Sequence, residues 1–286
     1  MRECNLLNKS FVREKRVHAG EFMEVSLFTR TAEQEKYAKG LKGNRKRKKK
    51  VSRPAQNNLN ERNSKRYAKL LVYANFSKDD YYLTFTYDKE HLPENPKEAT
   101  KDREKTIKKL QRLYKKHDKE LKYMWFTSYQ YNDDSGFIQR IHHHILLSGG
   151  VSRDEVEDKW SEGSGKNRVM LGRTNAKRIQ PGANGIDDLI KYLTGQEKWE
   201  NRQWKKGQKR YSSSKNLIKP YETKNDHKWS LKKLEKIGKS DDAGEELILQ
   251  RFPGYKIVNE PKPKYYDDLG WYVQYDLMKI KNLEEP

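Results

Sequence analysis

Arg140-Ile141-His142-His143-His144-Ile145-Leu146-Leu147-Ser148 sets three of the chain's seven histidines side by side at the head of an apolar run. Asp133-Asp134-Ser135-Gly136 precedes the run and Gly149-Gly150 follows it. The stretch is too short for a helix and predicts a strand. Side chains alternate along a strand, which puts His142 and His144 on one face and His143 on the other. Two imidazoles on one face, about two residue rises apart, can close on a single ion. A polar strand end whose histidines meet water or backbone partners explains the triplet as well, so its surroundings decide.

Working outward, residues 121–131, with Tyr123-Met124-Trp125-Phe126, predict a second strand. It turns at Asn132–Gly136 into the histidine strand, giving an antiparallel pair. The β-rich run Tyr81-Tyr82-Leu83-Thr84-Phe85-Thr86-Tyr87 predicts a central strand. Between these, Asn95-Pro96-Lys97-Glu98 has the form of a capping box with proline at the first helical position. Ile107, Leu110, Leu113 and Tyr114 supply the buried stripe of the helix that follows. Tyr67, Leu70, Leu71 and Ala74 predict an earlier amphipathic helix over 58–74. Downstream, Ser152-Arg153-Asp154-Glu155 caps a short helix carrying Val156 and Trp160, and short strands are expected at 169–171 and 176–179 around Gly172.

A further helix is expected from about Ile186, with Ile186, Leu189, Ile190 and Leu193 as its buried stripe. At about 100° per residue, Tyr192 lies roughly 110° from the centre of that stripe. A tyrosine on such an edge keeps its ring partly packed and its hydroxyl accessible. The ordinary explanation is an amphipathic side chain reaching for water. A functional one needs the metal-binding strand nearby.

At the ends of the chain the pattern changes. Residues 9–29 alternate as strands do, most clearly over Glu21–Phe28. Lys42 to Arg53 contains Arg45-Lys46-Arg47-Lys48-Lys49-Lys50, and Val51 is its one apolar side chain. A block that repels itself in this way reads as a phosphate-contacting arm, ahead of a solvated spacer or an import signal. After Pro220 the chain is lysine-rich and weakly periodic until the strand-like Gly270-Trp271-Tyr272-Val273-Gln274-Tyr275. The expected division is N-terminal strands over 1–37, a basic linker or arm over 38–57, a main domain over 58–220 and a C-terminal appendage over 221–286. His18, His91, His117 and His227 read as surface residues, and the acidic block at 241–246 as a solvated helix start.

Charge narrows the partners. The 286 residues carry 62 lysines and arginines against 41 acids, a net charge of +21. That surplus points to polyanions, nucleic acid first and acidic membrane second. With 33% hydrophobic residues there is material for one modest core. No apolar run approaches membrane-spanning length and no apolar signal segment opens the sequence. The single cysteine, Cys4, excludes an intrachain disulfide and fits a reducing cytoplasm.

Three stretches together resemble the motifs of the HUH endonuclease superfamily, in particular the rolling-circle replication initiators of plasmids and phages. Tyr82-Leu83-Thr84-Phe85-Thr86-Tyr87 resembles the first motif, a structural strand. Arg140 to Leu147 resembles the histidine–hydrophobic–histidine motif, with His143 in the hydrophobic slot. Leu189-Ile190-Lys191-Tyr192-Leu193-Thr194 resembles the tyrosine helix. Asn75–Asp80 and Gly207–Pro220 are similar to replication proteins of Gram-positive bacterial elements. Two positions depart from the family: Gly195 stands where a lysine is usual, and Ser128 where a glutamate often provides a third metal ligand.

The resemblance implies an α+β fold, a mainly antiparallel sheet flanked by helices in the ferredoxin or RRM-like manner. It implies metal-dependent, origin-specific nicking and joining of single-stranded or hairpin origin DNA, with Tyr192 as nucleophile and a 5′-phosphotyrosine intermediate. Lys191 or Lys198 would assist the phenol, whose ordinary pKa of about 10 leaves it protonated at neutral pH. His142 and His144, with Gln130 or Ser128, would hold Mg²⁺ or Mn²⁺. Arg140, Lys209, Arg210, Lys215 and the arm Arg45, Lys46, Arg47 and Lys48 would contact DNA. A host helicase and polymerase are the implied protein partners. A relaxase or single-tyrosine transposase would use the same parts, and a non-catalytic nucleic-acid-binding protein is the rival from another class.

Overall fold

The computed structural model describes residues 10–40, 54–132, 135–163, 165–182, 186–195 and 211–280. Its elements begin with β1 (Ser10–Ala19), β2 (Phe22–Thr31), α1 (Ala32–Gly40), α2 (Pro54–Asn75), β3 (Tyr81–Thr86) and α3 (Pro96–Lys116). The middle holds β4 (Tyr123–Tyr131), β5 (Ile138–Leu147), α4 (Arg153–Glu157), β6 (Ser161–Glu162), β7 (Val169–Met170), β8 (Thr174–Arg178), α5 (Asp187–Gly195) and β9 (Tyr211–Ser213). Last come β10 (Tyr221–Asn225), α6 (Leu231–Lys239), α7 (Glu245–Arg251), β11 (Tyr255–Asn259), β12 (Lys264–Tyr266) and β13 (Gly270–Lys279). The fold is α+β, with antiparallel sheets and flanking helices, as the sequence implied. These elements form two compact units, Glu61–Ile218 and a second one made of Met1–Asn60 with Lys219–Pro286.

The Glu61–Ile218 unit is built on a five-stranded antiparallel sheet in the order β8-β3-β5-β4-β9. Alternation gives it two different faces. Tyr81, Leu83, Phe85, Trp125, Ile145 and Leu147 point to one side, where α3 buries Ile107, Leu110, Leu113 and Tyr114. On the other side Met124, Phe126 and Leu146 meet Ala68, Leu71 and Val72 of α2 and Ile190 and Leu193 of α5. The stripe that predicted α5 is therefore the surface by which this helix sits on the sheet.

The capping box also forms. Asn95 accepts from the backbone N–H groups of Lys97 (3.0 Å) and Glu98 (3.2 Å). Glu98 answers by accepting from the Asn95 side chain (2.8 Å) and the Glu94 N–H (3.1 Å), so the orphan donors at the helix start find partners.

Strand β5 lies in the middle of the sheet, and two hydrogen-bonded ladders fix its register. His142 stands opposite Thr86 on β3 and Ser128 on β4, and His144 opposite Thr84 and Phe126. A slip of one residue would exchange its two faces.

The other unit holds a sheet in the order β10-β1-β2-β13-β11, with β12 paired to β13. Gly20, at φ +62°, opens the two-residue turn between β1 and β2, a conformation that glycine adopts without strain. Val12, Val25, Leu27, Val273, Tyr275 and Leu277 make its core with Trp229, Leu234 and Ile237 from the segment around α6. β13 runs along β2 from Tyr272↔Phe28 to Met278↔Phe22, so residues from both ends of the sequence share one sheet. No helix among the described residues is long and apolar enough to cross a membrane.

Candidate functional site

His142 and His144 share the sheet face that carries α5. Their rings are 3° from parallel, with centroids 6.2 Å apart. Tyr192 projects from α5 with its ring edge-on to His144 at 5.3 Å, and it is 51% exposed. The two histidines and the tyrosine, about 50 residues apart in sequence, thus form one cluster. The edge position on the helix explains how one ring both touches the sheet and reaches solvent.

His144 is buried and His142 half-buried. Burial first, and then the neighbouring His142, pushes the His144 imidazole down to about 4. It is therefore neutral at physiological pH, the form in which an imidazole ligates a metal. Its Nδ1 lies 2.8 Å from the Tyr82 hydroxyl and 3.3 Å from Thr84 Oγ1, and the Tyr82 ring stacks on the imidazole at 5.9 Å. Burial raises the Tyr82 phenol to about 12; a hydrogen bond from Thr84 opposes the rise, and the nearby Tyr192 adds to it.

His143 faces the opposite way, fully buried among Tyr87, Trp125 and Trp160, which meet it edge-on. It has polar partners in this apolar setting: Thr127 Oγ1 at 3.0 Å from Nδ1 and Tyr87 Oη at 3.3 Å from Nε2. Burial and then the Arg103 charge hold it well below the usual histidine range. The hydrophobic slot predicted for His143 is therefore occupied by a neutral histidine.

Ser128 is the register partner of His142, and Gln130 that of Arg140. Both are half-buried on the face shared with Phe126. Among the described residues no group of three or more His, Cys, Asp or Glu could hold a metal ion. What the site offers is two imidazole nitrogens with a hydroxyl or amide oxygen beside them. That set fits a first-row divalent ion whose shell is completed by water and phosphate oxygens, and it suits Mn²⁺ better than Mg²⁺ because it lacks a carboxylate.

Lys191 is exposed and lies 3.7 Å from Asp188, its neighbour one turn back. Arg140 and Lys215 are exposed, with Arg140 two residues from His142 on the same strand. Lys198, Lys209, Arg210, Arg45, Lys46, Arg47 and Lys48 lie outside the described residues. Tyr211 begins β9 half-buried, its ring 5.6 Å from Phe126, and burial raises its phenol.

Two groupings around these residues are not legible in the sequence alone. In sequence Tyr82 belongs to a run that resembles a structural strand; alternation puts it and Thr84 on the face of His144, but only once the β3–β5 register is known. Asp187, the first residue of α5, is buried and accepts from Tyr73 Oη (2.7 Å) and Lys69 Nζ (3.1 Å) of α2. An acid beside an apolar stripe at a helix start was the available signal.

The model of the replication-associated protein ORF2 family matches residues 80–226, just over half of the 286 residues. The matched span includes β3, β5 and α5, and with them His142, His144 and Tyr192. No curated protein and no solved structure matches the chain.

Proposed function

The chain belongs to the replication-associated protein ORF2 family, and from that premise we propose that it starts rolling-circle replication by nicking and rejoining single-stranded origin DNA through Tyr192. The observation that carries this reading is the contact between the exposed Tyr192 ring and His144, one of two parallel imidazoles on the same sheet face. A phenol at the edge of a basic protein's surface, beside a site suited to a cation, is where a phosphodiester could meet both.

Tyr192 Oη attacks the phosphorus in line. The Oη–P bond forms as the bond from phosphorus to the 3′ oxygen breaks, the phenol gives up its proton to solvent or to an amine such as Lys191 or Lys198, and the departing 3′ oxygen takes one up. The products are a 5′-phosphotyrosine and a 3′-hydroxyl that a polymerase can extend. Attack by a later 3′-hydroxyl on the same phosphorus reverses the step and releases Tyr192, so the phosphodiester energy is retained. His142 and His144, with Ser128 or Gln130, would hold a divalent cation, which supplies charge stabilisation at the phosphoryl oxygen when bound. Arg140 and Lys215 would contact phosphates, and the +21 net charge supports sequence-independent affinity for the strand.

A set of labelled single-stranded oligonucleotides tiling the replicon that encodes the chain tests this. With Mn²⁺, one segment should become covalently attached, and chelation should stop the reaction. No attachment to any segment would leave the rival reading, a DNA-binding protein without nicking activity. That rival is favoured by Ser128, rather than a carboxylate, standing opposite His142.

A further inference from the structure

Tyr82 stacks on the buried histidine of the site. Its hydroxyl is 2.8 Å from His144 Nδ1 and receives a hydrogen bond from Thr84 Oγ1 at 3.3 Å, while the Tyr192 ring meets the same imidazole edge-on at 5.3 Å. A phenol has one proton and two lone pairs, and this count restricts how the cluster can be wired. Thr84 already fills one lone pair. If Tyr82 spends its proton on Nδ1, the imidazole carries its own proton on Nε2, and neither ring nitrogen is left with a lone pair for a cation. If Nδ1–H donates to the second lone pair, Nε2 keeps its lone pair for a cation. Thr84 Oγ1, 3.3 Å from the same nitrogen, is a second acceptor for that N–H.

We infer that Tyr82 is a positioning residue for the reaction proposed above: it fixes His144 as the Nδ1–H tautomer. The inference rests on the assignment of His142, His144 and Tyr192 to one site. Burial supports the division of labour. The Tyr82 ring is half-buried and stacked on His144, 16° from parallel, whereas Tyr192 is half exposed. The inner phenol is thus the fixed member of the pair and the outer one meets the strand. Metal-ligating histidines generally have their second nitrogen oriented by such a partner, and loss of it costs about 10- to 100-fold in affinity.

The test uses the full chain without metal or DNA, with ¹⁵N-labelled histidine. Long-range ¹⁵N–¹H spectra distinguish a protonated ring nitrogen from one bearing a lone pair, and His144 should show its proton on Nδ1. Tyr82→Phe keeps the stacked ring and removes the hydroxyl. It should give a mixture of tautomers at His144 while His143, on the other face of the same strand, keeps its signals and reports that the sheet is intact. In the same variant, Mn²⁺ affinity should fall by about tenfold or more, and kcat for oligonucleotide attachment should fall with KM little changed. A wild-type His144 protonated on Nε2 overturns the inference, and needs no variant to be seen. So does a Tyr82→Phe protein in which tautomer and Mn²⁺ affinity are unaltered. Failure of the nicking proposal alone would read differently: the tautomer would be as expected, but no DNA would become attached to the wild-type chain.

Discussion

The orientation of Tyr192 depends on how α5 is fastened, and Asp187 is where that can be broken. Its side chain is almost wholly buried and takes two hydrogen bonds from α2, one from Tyr73 at 2.7 Å and one from Lys69 at 3.1 Å, the Lys69 side chain being 20% exposed. Hydrogen bonds to a charged group contribute about 1.5–3 kcal/mol each. Tyr73→Phe removes one of them and leaves the ring in place, so about 2 kcal/mol is expected. Asp187→Ala removes both and takes the carboxylate away from a partly buried ammonium. Breaking a buried pair costs about 3–5 kcal/mol, and the partial exposure of Lys69 brings the expectation to about 3 kcal/mol. Amide hydrogen exchange over α5 is the assay, because the loss is local to a nine-residue helix. A change of about 2 kcal/mol corresponds to about thirtyfold faster exchange at Ile190, Tyr192 and Leu193 in Tyr73→Phe. Attachment of DNA through Tyr192 should slow in step. If α5 exchanges at the wild-type rate in Asp187→Ala, the helix is held by its apolar stripe alone and the reasoning fails.

Other consequences follow from charges and ligands. Burial would raise the fully buried Glu14 carboxyl, but the Trp229 N–H at 2.7 Å and the Arg16 guanidinium more than reverse it, so its folded value lies below the ordinary one. Such a group stabilises the fold above its unfolded pKa of about 4.5, and that stability disappears as pH falls through the lower folded value. Glu14→Gln should therefore be less stable at pH 7 and lose less on acidification, as followed by urea midpoints. Mn²⁺ should raise the melting temperature more than Mg²⁺ does. His142→Ala combined with His144→Ala should abolish both that rise and nicking while DNA binding persists; undiminished nicking would remove the metal from these residues. Affinity for single-stranded DNA should fall by about two to three orders of magnitude between roughly 50 and 200 mM salt if about six phosphates are contacted. A flat salt profile would contradict the role given to the basic surface.

Where local pattern dictates structure, the sequence was readable. β3, β4 and β5 show strand alternation or continuous apolar runs, α3 announces itself with Asn95-Pro96, and α5 with its stripe of Ile186, Ile190 and Leu193. The two histidines on one face followed from period two alone. The pairing of β13 with β2 could not be read, because nothing local in Tyr272–Met278 points to a partner some 250 residues away. The N-terminal strands also hide their burial behind charge. Arg13 is buried because Asp226 and Glu35 bind it at 2.7 and 2.8 Å, and Glu14 because Trp229 and two arginines do. Hydropathy reads both as surface. His18, on the same strand, stacks at 4.6 Å on the exposed Tyr221. At the site, Tyr82 and Asp187 went unseen for the same reason: each acts across an interface that only register and helix docking create.

The most direct measurement is a denaturing gel of the purified chain with its labelled origin oligonucleotide and Mn²⁺, run beside Tyr192→Phe. A labelled band that survives denaturation in the wild type and vanishes in the Phe variant is the expected result, with Tyr192 recovered as the modified residue by mass spectrometry. A band that persists in Tyr192→Phe, carried by Tyr211 or any other residue, would contradict the assignment of Tyr192 as the nucleophile.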